Sequence, residues 1–170
     1  MSRPDDEFRA FVEPRAAALH RSAYLLCGDW HLAHDLVQEA LAKAYRHWGR
    51  VERADSPEAY VRRMVVNEAH RHWRRHRHRA GVVDSRSERP ILDPAAPDAS
   101  DDVVARAGIL QALLALPARQ RATVVLRYLD GLTERETAAV LHCSEGTVKS
   151  QTSRALATLK TYLTREDAIR

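Results

Sequence analysis

The chain has 170 residues and a mass of 19.2 kDa, room for one ordinary domain or two small ones joined by a linker. With 45% hydrophobic but only 6% aromatic residues, six glycines and seven prolines, it favours helices over a sandwich of short strands. The net charge of +4, an N-terminus (MSRPDDEFRAFVEP) without an apolar signal centre, and no apolar run near the roughly 18–20 residues of a membrane span speak against export or insertion and place the expected protein in the cytoplasm.

Phe8, Phe11, Leu19, Ala23 and Leu26 recur at helical spacing, with Pro14 as a kink or restart and Gly28-Asp29 as a stop followed by a cap. From Trp30 to Trp48, Leu32, Leu36, Val37, Ala40, Leu41 and Ala44 make one apolar face, and Asp35, Gln38, Glu39, Lys43 and Arg46 make the opposite one. Ser56-Pro57 opens a third long helix. Between Arg62 and Arg79 that helix holds seven arginines and four histidines against one acid, Glu68. The stretch is therefore +6 and the remaining residues sum to −2. So concentrated a cationic patch suits a polyanion, since the acids four residues away that neutralise a solvated helix face are missing.

From Asp84 to Asp102, three prolines and six acids interrupt the helical pattern. Low apolar content cannot offset the entropy of ordering such a segment, so it reads as a flexible acidic linker within 81–102. Two small all-α domains flank it, 1–80 and 103–170. The second reads as four helices: Val103 to Leu116, Pro117 to Leu129, a short one capped by Thr133 with Glu136 reaching back, and a last one from Glu145 to Leu163. The turn His142-Cys143-Ser144 between the final two gives a helix-turn-helix pattern. Val140, Leu141, Val148, Ala155, Leu156 and Leu159 supply its buried side. Glu145, Thr147, Lys149, Ser150, Gln151, Ser153 and Arg154 face outward, the residue types that hydrogen-bond base edges and phosphates.

Other readings compete with nucleic-acid binding. His31, His34 and Asp35, or His72 with His76, have metal-ligand spacing, but His72 and His76 lie among arginines that repel a cation. No metal, cofactor or catalytic residue is expected. A repressor or response-regulator output domain would use the same helix-turn-helix and would bind palindromic sites as a dimer. Cys27 and Cys143 are too few for a disulfide framework and read as reduced, small apolar residues.

Ala33-His34-Asp35-Leu36-Val37-Gln38-Glu39-Ala40-Leu41 resembles the core-binding helix of bacterial sigma factors. Leu116-Pro117-Ala118-Arg119-Gln120-Arg121, the run Leu126 to Leu132, and Ser144-Glu145-Gly146-Thr147-Val148-Lys149-Ser150 resemble their region 4. Order, spacing and length resemble the two-domain extracytoplasmic-function (group IV) sigma factors of the sigma-70 family, and Tyr24 to Asp29 resembles the SigE-like subfamily. The resemblance implies a non-enzymatic factor that binds core RNA polymerase at its clamp coiled coil and flap and directs promoter-specific initiation. It implies polymerase contacts at Asp35, Gln38, Glu39 and Arg46. It assigns the −10 element to Asn67, Arg71, Trp73, Arg74, Arg75 and Arg77, and the −35 element to Lys149, Ser150, Ser153 and Arg154, with Arg119 and Arg121 on phosphates. An anti-sigma factor clamping both domains is a family habit, and the residues leave open whether one exists here. His142 stands where the family usually has glycine, and His34 where it is often acidic.

Overall fold

The computed structural model describes the backbone of residues 4–79 and 101–167 and the side chains of residues 5–75 and 107–164. Most of the expected linker, 81–100, lies outside the described residues, as do the side chains of His76, Arg77, His78 and Arg79. All regular structure among the described residues is helical: α1 (Pro4–Val12), α2 (Ala16–Cys27), α3 (Trp30–Arg46), α4 (Trp48–Val51), α5 (Pro57–Arg79), α6 (Asp101–Ala115), α7 (Ala118–Val124), α8 (Glu134–Leu141) and α9 (Glu145–Asp167). A π-helical turn, Val125–Leu129, continues α7.

Local chemistry accounts for the boundaries. Pro14 sits in the turn between α1 and α2, where its missing N–H interrupts no helical ladder. Gly28 ends α2 at φ 77°, its N–H donating to the Tyr24 carbonyl, and the Asp29 side chain then accepts from the Leu32 N–H to start α3. The sequence carries α3 through Trp48. The chain instead breaks at His47, and a separate short helix turns Trp48 into the core. There the indole meets Phe8 edge to face and Phe11 at a tilt, ring centroids 5.3 and 5.2 Å away. The Ser56 hydroxyl accepts from the Ala59 N–H at the start of α5. Thr133 and Glu136 close the reciprocal cap expected for α8.

In the N-terminal domain, α2, α3 and α5 close around Leu19, Ala33, Val37, Ala40, Val61 and Val65. Small Ala33, Ala40 and Ala44, all fully buried, let the helices approach closely. In the C-terminal domain, α6, α7 and α9 share Leu113, Leu116, Val124 and Ala155. Leu156, expected in that interior, is 43% exposed on the outer side of α9. It follows Ala155 by about 100° of helix rotation, which carries it out of the narrow buried stripe.

The sequence reads as two domains on a tether, and the chain folds with them in contact. A third apolar cluster draws Leu26, Leu36, Val66 and Ala69 from the first domain against Val125, Leu126, Leu132, Val140 and Leu141 from the second. α5 packs on α8 and α2 on α6, and the π-helical turn also rests on α2. No periodicity in either domain announces this seam, because each face would be complete as a moderately apolar helix surface on its own.

Candidate nucleic-acid and polymerase interfaces

On α3, Asp35, Gln38, Glu39 and Arg46 are all exposed. Their spacing of three, four, seven and eleven residues puts them along one side of the helix while Leu36, Val37, Ala40 and Leu41 fill the interior. His34, also exposed, stacks on His20 at 5.3 Å between centroids.

On α5, Arg74 and Arg75 are exposed, and Asn67, Arg71 and Trp73 are half-buried. Arg77 lies on the same helix with its side chain outside the described residues. Between α3 and α5 lies a cleft of about 150 Å³ whose lining includes Asp35, Glu39, Glu68, Arg71 and Arg75. The expected polymerase face and the expected DNA face therefore meet along one edge.

Glu68 organises that edge, a role the sequence reading missed. Its side chain is only 4% exposed, and it takes an ion pair from Lys43 on α3 and another from Arg71 Nη1 at 3.3 Å. Burial alone would raise its pKa, but Lys43, Glu39 and Arg71 outweigh that and hold it below the usual carboxylate value. The signal was present in the sequence: a lone acid within an arginine run, three residues before Arg71.

On α9, the Ser144 hydroxyl accepts from the Thr147 N–H at 3.1 Å and so caps the helix. Buried Val148 and Ala155 seat the helix, leaving Lys149, Ser150, Ser153 and Arg154 exposed on its first three turns. Lys149 Nζ lies 3.5 Å from Glu134 Oε2, and the Ser150 hydroxyl donates to the Thr147 carbonyl. His142 adopts φ 52°, ψ 50°, the left-handed conformation of the usual glycine, and its N–H reaches the Ala138 carbonyl. Histidine thus keeps the turn geometry, at a cost of roughly 1–2 kcal/mol relative to a relaxed backbone.

The two expected phosphate contacts of α7 part company. Arg119 is exposed. Arg121 turns inward and donates to the Leu26, Leu114 and Leu116 carbonyls at 2.6, 3.1 and 3.1 Å. Burial lowers its pKa. Its guanidinium carbon also lies 5.5 Å from the Trp73 ring centroid, so this molecule presents neither Arg121 nor the covered face of Trp73 to DNA. His70 beside Trp73 is held below its ordinary pKa by burial and by Arg119 and Arg74. Burial pushes the Cys27 thiol up to about 11, which leaves it protonated and unreactive at neutral pH.

The sequence also missed Arg62 and Asp130. Arg62 Nη1 meets Asp130 Oδ1 at 2.5 Å, with side chains 10% and 5% exposed. Ser22 donates to the same oxygen at 2.5 Å, and Arg62 Nη2 reaches Glu58 Oε1 at 2.6 Å. Burial works against the Arg62 cation, but Glu58 and Asp130 prevail and raise its pKa.

Residues 11–79 match the family model for sigma-70 region 2, and residues 106–159 match that for sigma-70 region 4. The RNA polymerase sigma-E factor of Streptomyces coelicolor is 37% identical over 161 residues, covering 95% of this chain and 88% of that one. The ECF RNA polymerase sigma factor SigL of Mycobacterium tuberculosis is 31% identical over 160 residues, covering 91% and 88%. Among solved structures, the sigma factor RpoE of Bartonella quintana, in complex with the anti-sigma factor NepR, superimposes with a TM-score of 0.79 at 27% identity, covering 93% of this chain and 97% of that one. With both regions present in order and relatives matched from one domain through the other, the chain belongs to the ECF sigma factors of the sigma-70 family, which direct promoter-specific transcription initiation by RNA polymerase.

Proposed function

We propose that residues 1–80 dock on core RNA polymerase and open the −10 element, while residues 103–170 read the −35 element, in the cytoplasm and without catalysis by the chain itself. The separation of three exposed polar faces on three helices carries this reading. The acids and amide of α3 (Asp35, Gln38, Glu39) border the cations of α5 along one cleft, and the hydroxyls and cations of α9 begin at a capped N-terminus.

Each face suits its task chemically. Carboxylates and an amide beside Arg46 form a patterned surface whose charges must be matched by the partner, which favours specificity over raw affinity. Arginines on α5 would neutralise phosphates and release counterions. Asn67 and Trp73 would meet bases once the duplex opens, where stacking contributes roughly 1–3 kcal/mol per base toward the cost of melting. Short side chains on the first turns of α9 let the backbone approach the major groove, and Lys149 and Arg154 would reach base edges or phosphates. Arg119 would hold a flanking phosphate, and Arg121 would join it once released from the seam. The Bartonella quintana relative is held by an anti-sigma factor. A protein inhibitor of that kind is the regulatory partner proposed here.

Arg154→Ala tests base readout. In polymerase-dependent selection from a promoter pool randomised at the −35 element, the variant is expected to lose about 1–3 kcal/mol of discrimination at one or two base positions. A uniform loss across all sequences would assign Arg154 to the phosphates instead.

A further inference from the structure

Between Arg62 and Arg79, Glu68 is the one acid among seven arginines. Asn67, Arg71, Arg74 and Arg75, at spacings of four, seven and eight residues, lie along one side of α5. Glu68 stands beside that row and reaches toward α3, where its side chain is only 4% exposed. A buried charge is a costly way to join two helices, since an apolar residue of similar size at such a place is often as stabilising or more so. Neutralising the carboxylate takes one cation, and Lys43 of α3 supplies it on Oε1. Arg71 takes the other oxygen, Oε2, at 3.3 Å, from the lining of the cleft between the two helices. The second cation is more than burial of the acid requires.

We propose that Glu68 is a positioning residue for promoter opening: by holding Arg71 Nη1 it sets the guanidinium so that the rest of its donor fork meets the −10 strand. This rests on the assignment of α5 to the −10 element. Arginine is suited to the double task. Its five N–H donors lie in one fixed plane, so one nitrogen can stay on a carboxylate while the others take a phosphate. The Arg71 side chain is 43% exposed, which leaves part of it open to a ligand while Glu68 holds it.

Holding a long side chain in place beforehand removes the entropy cost of ordering it when DNA arrives. Nor does the acid repel the strand. With Lys43 and Arg71 on one carboxylate, two cations and one anion leave the group positive. Because Lys43 belongs to α3, the same carboxylate sets Arg71 in register with the helix assigned to polymerase.

A double-mutant cycle in the assembled transcription complex tests this. Full-length wild type, Glu68→Gln, Arg71→Ala and the double variant are each saturated with core RNA polymerase, so that polymerase affinity does not limit the reading. The probe is the promoter fragment from which the wild-type complex initiates most strongly. Opening is read from the permanganate reactivity of unpaired thymines across a range of salt concentrations, and circular dichroism verifies the helical content of each chain. Glu68→Gln keeps the shape of the side chain and removes its charge.

Glu68→Gln is expected to lower the opening equilibrium by about threefold to tenfold, the effect of releasing one long side chain from a fixed position. In the Arg71→Ala background the same substitution is expected to change opening by less than about twofold, because the group it acts through is gone. An equal loss in both backgrounds would make Glu68 a purely structural residue; that result, or a Glu68→Gln chain that opens the promoter as well as wild type or better, overturns the proposal and leaves the assignment of Arg71 intact. If Arg71→Ala itself opens the promoter like wild type with the same salt dependence, the assignment of Arg71 to the −10 element falls and the proposal with it. Should Glu68→Gln lose its helical content, Arg71→Lys decides, since it keeps the charge on the half-exposed side chain but lacks the fork. A loss of opening of about threefold or more supports the role given to Glu68, and a smaller one overturns it.

Discussion

Glu68→Ala lowers the stability of the N-terminal domain by about 2–3 kcal/mol, below the roughly 3–5 kcal/mol for removing one partner of a fully buried pair. The reduction follows from exposure: Lys43 and Arg71 are 30% and 43% exposed, so both cations recover water once the carboxylate is gone. Thermal unfolding of the full chain should show the loss as a shift of about 10 °C. The pH dependence separates charge from packing. Because the folded carboxylate has the lower pKa, its stabilisation is complete above the ordinary glutamate value of about 4.3 and is lost as pH falls through the folded value below it. The stability gap between wild type and Glu68→Ala should therefore be widest at neutral pH and narrow below about pH 4. A gap independent of pH would mean that the side chain acts through its volume rather than its charge.

Leu126→Ala should cost about 3 kcal/mol, within the range of about 2–5 for a buried leucine truncated to alanine. Leu126 is 1% exposed and lines a small space at the seam with Leu19, Leu26, Val65 and Val66 of the other domain, next to Asp130. The measurement, equilibrium denaturation of the full chain, also reports on the closed state. A loss below about 0.5 kcal/mol is what a surface leucine gives, and it would show the domains apart in solution.

Much of this fold is written locally. Asp29, Ser56 and Thr133 each stand where a helix begins, and each side chain accepts the backbone N–H expected of it, while Ser144, read only as part of a turn, caps α9 in the same way. The alternation of Leu36, Val37, Ala40 and Leu41 with Asp35, Gln38 and Glu39 separates the interior of α3 from its exposed polar side, and the structure keeps that division. The charge of α5 was equally legible, because seven arginines in one helix leave a signature that composition alone reveals.

What escaped the sequence depends on pairings far apart in the chain. Arg62 looked like one more cation in a run, and Asp130 like the end of a helix. Their meeting is fixed only by how two domains settle on each other. Arg121 shares that history: the family resemblance implies a phosphate contact, yet the carbonyls of Leu26 in α2, Leu114 in α6 and Leu116 just beyond it draw it inside. The sequence places Leu156 in the interior with Val148, Ala155 and Leu159, but the buried stripe of α9 is narrower than that set. The break at His47 comes from the demand of Trp48 for a place against Phe8 and Phe11, which no local rule states.

The most direct test is transcription reconstituted from purified core RNA polymerase and the full chain on genomic DNA, with start sites mapped at nucleotide resolution. The account predicts a defined set of starts absent with core enzyme alone, sharing one upstream sequence near −35 and another near −10. Starts identical to those of core enzyme alone, from a chain that fails to co-elute with polymerase, would contradict it.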